Sequence, residues 1–236
     1  MSALTLPGGF ENSHSQAVVS AALASVFRGK FCDAILPNRR ATTFKKGQVI
    51  YDVGDTERTL YFLGNGFVRV GTLTSDGHEL IYDVRKGGDV VGELCASELR
   101  RPDRAVALEQ TDAVPVPFAE VLETVRKQPD LLARLVDVFC HALTEAYAQV
   151  NTLAVDDTGI RLAKLLLKLA AKIGQHTNSE VEIPTYLTQA EIAQMVAARR
   201  ERVSTALNSF RRKKMIQYTH HGHLLLNMRS LESYSG

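Results

Sequence analysis

The sequence predicts an α+β fold in three parts: a β-rich front half, one long helix, and a helix-turn-helix followed by a β wing. Three observations predict it. Between residues 39 and 117, β-rich runs are divided by turn signals at roughly 8–12-residue spacing, the signature of a sandwich or barrel. From residue 118 the apolar positions recur in threes and fours. Near the C-terminal end, "LTQAEIAQMVAARRERVSTALNSFRRKKMI" (187 to 216) holds seven Lys/Arg against two Glu on a helical pattern.

Composition bounds the function. The 236 residues suffice for one large domain or two ordinary ones, and 45% hydrophobic with 23% charged content is that of a globular chain. No run approaches ~20 apolar residues, so no membrane span or membrane partner is expected. The stretch "AVVSAALASVF" (17 to 27) has no Lys or Arg just ahead of it and reads as an amphipathic helix, not a signal peptide. Trp is absent, which argues against a large aromatic ligand cage. Cys32, Cys95 and Cys140 are odd in number and scattered, with no C-x-x-C. That pattern fits buried thiols in a reducing cytoplasm and argues against zinc, an iron–sulfur cluster or a disulfide frame. The net charge of +2 conceals an asymmetry: residues 188 to 236 carry eight Lys/Arg against three Asp/Glu, and the preceding 187 residues carry twenty against twenty-three. A basic module on an acidic body calls for a polyanionic partner.

Residues 1 to 20, with "PGG", read as a flexible arm. A short helical segment follows, to about Phe31. The β domain, 21 to 117 with its entry, contains "TLYFLGNGFVRVGTL" and "HELIYDV". Asn65-Gly66 and Asp76-Gly77 are its strongest hairpin corners, because primed turns need positive φ. Pro115 and Pro117 end it. Residues 118 to 154 form the long-helix region. Pro129 suits a first helical turn, and Leu131, Leu135, Val138, Phe139, Ala142, Ala146, Val150 and Leu153 follow at helical steps. Leu132 and Leu143 widen the apolar face, so the helix (about 129 to 154) can cover its own barrel and pair with a second copy in a C2 homodimer. "VDDTG" (155 to 159) opens the last module, 155 to 236. Its first helix, "IRLAKLLLKLAAKIG", closes at Gly174, and "GQHTNSEVEIPTY" reads as a loop.

The basic stretch then resolves into parts. Thr188 and Glu191 form a capping box that starts a helix with Ile192, Met195 and Val196 on its buried side. "AAR" turns the chain, and a second helix runs from about Arg199 to Arg212. Val203, Leu207 and Phe210 share its packed side. Glu201, Ser204, Thr205, Asn208 and Arg212 share the other. Arg can make two hydrogen bonds to guanine and Glu can accept from cytosine, whereas Arg211, Arg212, Lys213 and Lys214 suit phosphates. "KMIQYTHHGHLLLN" reads as strand, turn at Gly222, strand. The expected partner is double-stranded DNA. The candidate contacts are Thr188, Gln189, Arg199, Arg200, Glu201, Arg202, Ser204, Thr205, Asn208, Arg211 and Arg212.

With these parts in order, the chain resembles the CRP/FNR family of bacterial transcription regulators from about residue 21 to 232. "GDVVGEL", the long helix and "LTQAEIAQMVAARRERVSTAL" carry the likeness. The resemblance implies a homodimer with a jelly-roll β-barrel of the cyclic-nucleotide-binding type, a dimerisation helix and a C-terminal winged helix-turn-helix. It also implies binding to a pseudo-palindromic operator and contact with RNA polymerase. Arg200 and Glu201 match the Arg-Glu of members like the cyclic-AMP receptor, and Glu201 and Ser204 match the FNR-like pattern. Thr205 stands where both have a second Arg. Arg199 replaces the usual Ser or Thr cap, whose loss typically costs ~1 kcal/mol.

The resemblance also places an effector pocket at Gly92, Glu93, Leu94, Arg104, Ala105 and Tyr147. In the family, Glu holds a ribose hydroxyl while Arg and Ser hold a cyclic phosphate. Here, if Ala105 takes the family's Ala place, Arg104 falls on the Ser and Asp103 on the Arg; shifted by one residue, Arg104 becomes the phosphate Arg without its hydroxyl. Ala146 and Tyr147 replace the purine-contacting hydroxyls. Cyclic AMP is therefore disfavoured, leaving another small molecule or none. A cyclic-nucleotide response through Glu93 and Arg104 is the alternative.

The N-terminal cysteines of iron–sulfur members are missing, and His78 and His141 read as ordinary histidines, not haem ligands. No metal is expected, and no particular cofactor is assigned. Catalysis is not expected either. The one H-x-H, His221-Gly222-His223, lies in the wing, and no nucleophile–base pairing or phosphate loop appears. The remaining rival is a ligand- or protein-binding module without DNA function, which a flat salt dependence would favour.

Overall fold

The computed structural model describes residues 35–96, 100–177 and 180–236. The N-terminal arm, the first helical segment and Cys32 lie outside the described residues, as do the side chains of Leu135, Val138 and His141.

Alternating apolar residues in the front half fold into eight strands: β1 (Thr42–Phe44), β2 (Val49–Tyr51), β3 (Thr59–Leu63), β4 (Phe67–Leu73), β5 (Glu79–Lys86), β6 (Val90–Val91), β7 (Arg104–Ala107) and β8 (Thr111–Pro117). They form two antiparallel four-stranded sheets, ordered β1-β8-β3-β6 and β2-β7-β4-β5. Apart from the β4–β5 pair, strands that follow in sequence thus switch sheets, the jelly-roll arrangement. Phe44, Ile50, Tyr51, Tyr61, Val68, Val70 and Ala105 fill the space between them.

The Asp76-Gly77 corner is a hairpin. Thr74 O accepts from Gly77 N–H at 2.9 Å, and Gly77 alone takes a left-handed φ of 81°. That is a type I turn closed by glycine, not a primed turn. Asn65-Gly66 is not a hairpin corner, because β3 and β4 belong to different sheets. There Asn65 instead bonds Asp112 through both its amide groups, at 2.7 and 2.9 Å. Pro115 and Pro117 pair with β3 beyond the end of β1, where one flank of β8 is an edge and a missing N–H is tolerated.

Helix α1 (Phe118–Arg126) leads to α2 (Pro129–Val155), a 27-residue helix with Pro129 in its first turn. Helix α3 (Thr158–Ile173) begins at Asp157, whose side chain accepts from Ile160 N–H at 2.9 Å. The expected loop after Gly174 holds two short strands, β9 (Gln175–Thr177) and β10 (Glu180–Glu182). They complete a sheet of order β11-β12-β10-β9 with the wing strands β11 (Ile216–Tyr218) and β12 (Leu224–Leu226). Val181 and Ile183 alternate inward there, a period too short to stand out in the sequence. A last helix, α6 (Met228–Ser235), packs Leu231 onto α3.

Cys95 is buried as expected, but Cys140 is exposed on α2. Its neighbours Val136, Phe139 and Leu143 are exposed too, so the residue lies on a face with no covering layer among the described residues. No helix among the described residues is long and apolar enough to cross a membrane. Nor do the described residues bring three or more His, Cys, Asp or Glu together in a way that could hold a metal ion.

Candidate nucleic-acid interface

Helix α4 (Gln189–Met195) starts at the capping box. Thr188 Oγ1 accepts from Glu191 N–H at 3.1 Å, and Glu191 Oε2 accepts from Thr188 N–H at 2.8 Å. Ile192, Ala193 and Met195 are buried. The turn that follows is made by Ala197, which adopts a left-handed φ of 49°, while Ala198 N–H reaches back to Ala193 O at 3.0 Å. This six-to-one bond ends α4 and sets the entry to the second helix.

Helix α5 (Arg200–Arg212) buries Val203, Leu207 and Phe210, each at most 1% exposed. Three residues at helical spacing thus fix which side faces out. On that side Arg199, Arg200, Glu201, Arg202, Thr205, Asn208, Arg211 and Arg212 are exposed, and Ser204 is half-buried. None of these arginines forms an ion pair among the described residues. Arg199 precedes the helix without a side-chain cap bond, as its residue type predicts. Thr205 Oγ1 donates to Glu201 O at 2.9 Å, so its proton is used within the helix. What Thr205 still offers outward is its methyl group and a lone pair. Thr188 is exposed at the start of α4, with Gln189 half-buried beside it.

The C-terminal end of α5 and the wing form a groove lined by Thr205, Asn208, Arg211, Arg212, Gln217 and Tyr218. The Arg211 guanidinium lies 5.4 Å from the Tyr218 ring centroid. Tyr218 and Gln217 were not among the sequence candidates. Their place on a three-residue strand just after a basic run was the available signal. In the wing turn, His223 Nδ1 is 2.8 Å from Glu182 Oε1, so the H-x-H has a structural partner. At its other end, α5 faces the β4–β5 hairpin: Arg199, Arg200 and Glu201 share a cleft with Thr74, His78, Glu79 and Leu80. Arg69 of β4 bridges this junction, pairing with Glu79 at 2.5 Å and approaching Glu191 at 3.7 Å.

In the barrel, Gly92 takes φ 92°, and a Cβ there would stand 2.8 Å from Thr59 O, so only glycine fits. Glu93 accepts from Arg85 Nη2 at 3.0 Å. Arg104 is 3.3 Å from Asp52. Ala105 is buried, Leu94 is exposed, and Tyr147 is 64% exposed on α2. Gly92 and Ala105 both lie against Tyr51, whereas Leu94 and Tyr147 face outward. Three residues outside the candidate set form a cluster beside them. Arg101 is buried, donates to Gly92 O and Thr59 O, and stacks 4.1 Å over the Tyr51 ring. Tyr51 in turn donates to buried Asp103 at 2.9 Å, and burial pushes the Asp103 carboxyl up to about 6.

An exposed basic helix after a tight turn, seated on a core shared with α3, α4 and the wing strands and flanked by a wing, defines a DNA-binding transcription regulator. The comparisons give the same class. Residues 41–128 match the family model for the cyclic nucleotide-binding domain, and residues 160–234 match the Crp-like helix-turn-helix domain. The chain is 27% identical over 200 residues to the CRP-like cAMP-activated global transcriptional regulator of Mycobacterium tuberculosis, covering 83% of this chain and 89% of that one. It is 28% identical over 198 residues to the global nitrogen regulator of Nostoc sp., covering 83% and 88%. A CRP-family transcriptional regulator from Thermus thermophilus has a similar structure, with TM-score 0.67 at 25% identity over 83% of this chain and 96% of that one. FixK2 from Bradyrhizobium japonicum shares the fold, with TM-score 0.72 at 21% identity over 84% and 98%. The chain belongs to the CRP/FNR family of transcription regulators.

Proposed function

We propose that this regulator works as a cytoplasmic homodimer on a pseudo-palindromic operator, reading bases with Arg200, Glu201 and Ser204. The observation that carries the reading is the outer face of α2. Leu132, Val136, Phe139, Leu143, Val150 and Leu153 are all exposed, at steps of three and four residues apart from one of seven between Leu143 and Val150. Val136, Leu143 and Val150 fall on one seam position, and Leu132, Phe139 and Leu153 on the other. Val at two of the three first positions and Leu at two of the three second positions favour a parallel two-stranded coiled coil. Pairing there relates two α5 helices by a two-fold axis, which suits successive major grooves ~34 Å apart. Arg211, Arg212 and the lysines after them hold phosphate, with Thr188 and Gln189 doing so at the start of α4. Functional division of the chain then falls near residues 117/118 and 154/155. The dimer acts on transcription through RNA polymerase, as its family does.

Cyclic AMP is a poor fit to the barrel of this chain. Asp103 is the buried group where a cyclic phosphate would need a cation, and like charges repel there. Glu93 and Arg104 are engaged by Arg85 and Asp52. The effector is therefore a different small molecule, or the dimer binds DNA without one. Selection from a random duplex library with the protein alone tests the whole reading. An enriched palindrome is the expected result. Enrichment of a single half-site would overturn the dimer, and no enrichment with or without a metabolite pool would overturn sequence-specific binding.

A further inference from the structure

Between the barrel and the helix-turn-helix lies a cleft of ≈ 110 Å³. Its walls come from four elements: Tyr82 on β5, Glu145 and Leu153 on α2, Leu165 on α3, and Met195 on α4 with Val196 just beyond it. Most of that lining is apolar. The cationic wall belongs to α3, where Arg161, Lys164 and Lys168 follow at three- and four-residue steps and so share one face.

These cations are unequally satisfied. Lys164 is held by Asp156 at 2.6 Å. Lys168 stands 3.8 Å from Glu145, the outer limit of an ion pair. The Arg161 guanidinium reaches Ala197 O and Thr158 Oγ1 only at 3.5 Å each, and its Nε is buried with no hydrogen-bond partner. The two Nη groups, long-bonded among the described residues and open to the cleft, are the donors that an acceptor there can complete. The acceptor that suits their fork is a carboxylate, taken bidentately.

We propose that this cleft binds a small amphipathic carboxylate, its head on Arg161 with support from Lys168 and its apolar body against Tyr82, Leu165 and Met195. The size is that of benzoate or a short fatty acid. A cleft well below the ~300–1,000 Å³ of a drug-sized site leaves no room for a nucleotide. Inorganic phosphate lacks the apolar body and would forfeit most of the lining. Because barrel, long helix and DNA-binding module all contribute, the occupant holds them in one relative orientation. The site is independent of the base-reading assignment, and its test reads ligand binding, not operator affinity.

The test is a titration of the full-length protein, labelled at its methionine methyls, with sodium benzoate, sodium hexanoate, benzamide and inorganic phosphate. Benzoate is expected to shift the Met195 methyl by its ring current and to leave Met215, packed elsewhere in the core, in place. Benzamide, the neutral isostere, should bind about tenfold more weakly or worse, as should benzoate to Arg161→Met, since each removes one charged partner. Hexanoate binding in place of benzoate would select the alkyl form of the ligand. An unmoved Met195 with both acids at tens of millimolar overturns the site, and so does equal binding of benzamide or of phosphate. If Arg161→Met fails to fold by circular dichroism, the benzoate–benzamide comparison on the unaltered protein decides.

Discussion

Lys172 of α3 and Asp83 of β5 form a buried ion pair across the junction between the DNA-binding module and the barrel. Burial pulls the Lys172 ammonium down to about 8. Burial opposes ionisation of Asp83 as well, yet Lys172 and Arg85 together hold its carboxyl down to about 2. The chain of charges goes further. Arg85 Nε is 2.8 Å from Asp83, and its Nη2 is 3.0 Å from Glu93 in the barrel. A hydrophobic core runs alongside, in which Ile81, Val84 and Leu108 of the barrel join Leu162, Leu166 and Leu169 of α3.

Replacing Lys172 by Met strands Asp83 on a single cation. Breaking one side of a buried pair costs roughly 3–5 kcal/mol when nothing else compensates. Arg85 remains, so the expected loss is about 2–3 kcal/mol. Asp83→Leu combined with Lys172→Met should lose less than the sum of the single changes, because the double variant leaves no orphaned charge. Urea unfolding of the four proteins measures the coupling. Additive effects would mean that the pair carries no interaction of its own.

Asp103 gives a pH dependence of defined sign. Its folded-state value, raised to about 6 by burial, lies above the ordinary 3.8. Its contribution is fully present below about pH 4 and is lost as pH rises through 6, where ionisation inside the barrel becomes unfavourable. Asp103→Asn keeps an acceptor for Tyr51 and cannot ionise. The variant should match the parent near pH 4 and exceed it at pH 8, by roughly 2–3 kcal/mol. Thermal or urea unfolding at the two pH values checks this, and an equal offset at both would place the effect in packing instead.

The seam on α2 is tested by charge. Leu143 is exposed in the single chain and sits midway along the stripe. Leu143→Glu places two like charges against each other in a dimer and buries both. The protein should sediment as a folded monomer at micromolar concentration and lose its preference for a two-half-site operator. A dimer that persists would move the interface elsewhere.

Periodicity made much of this legible. The capping box, the buried triplet Val203, Leu207 and Phe210, the wing turn at Gly222 and the long α2 all follow from local spacing, and local spacing is what a sequence displays. What stayed hidden depends on distant partners. Asp83 and Lys172 are 89 residues apart, and nothing near either one marks it as paired. Asn65-Gly66 has the residues of a hairpin but serves a crossover between sheets, because pairing is decided by strand order and not by the turn. Cys140 reads as a core thiol only if its helix face is assumed to be covered within one chain. In the pocket, Arg101 escaped notice because its role is to fill space over Tyr51 and bond carbonyls from two other segments.

Ala197 carries a strain that its sequence neighbours do not advertise. A left-handed residue with a Cβ is disfavoured by about 1–2 kcal/mol, whereas glycine adopts that conformation freely. The turn is fixed on both sides by Val196 N–H to Ile192 O at 3.1 Å and Ala198 N–H to Ala193 O at 3.0 Å. Ala197→Gly should therefore stabilise the protein, by about 0.5–1 kcal/mol after the greater entropy of glycine in the unfolded chain is counted. Operator affinity should be unchanged. A loss of stability would mean that the methyl group makes a contact outweighing its strain.

The division of labour on α5 separates two kinds of arginine. Arg200 lies in the first turn, beside Glu201, where a long side chain can reach base edges. Arg211 lies in the last turn, at 5.4 Å from the Tyr218 ring centroid, facing the groove by the wing. Arg200→Ala should cost about 1–3 kcal/mol on the selected operator and relax preference at one base pair per half-site. Its salt slope should barely change. Arg211→Ala should weaken all sequences alike and make the slope of log affinity against log salt shallower by ~0.9 for each phosphate no longer neutralised. Titrations of matched and single-substituted operators at several salt concentrations distinguish the two patterns. If the two variants behave alike, with uniform loss and a shallower slope, Arg200 is a phosphate contact, and base reading must fall to Glu201, Ser204 and Asn208.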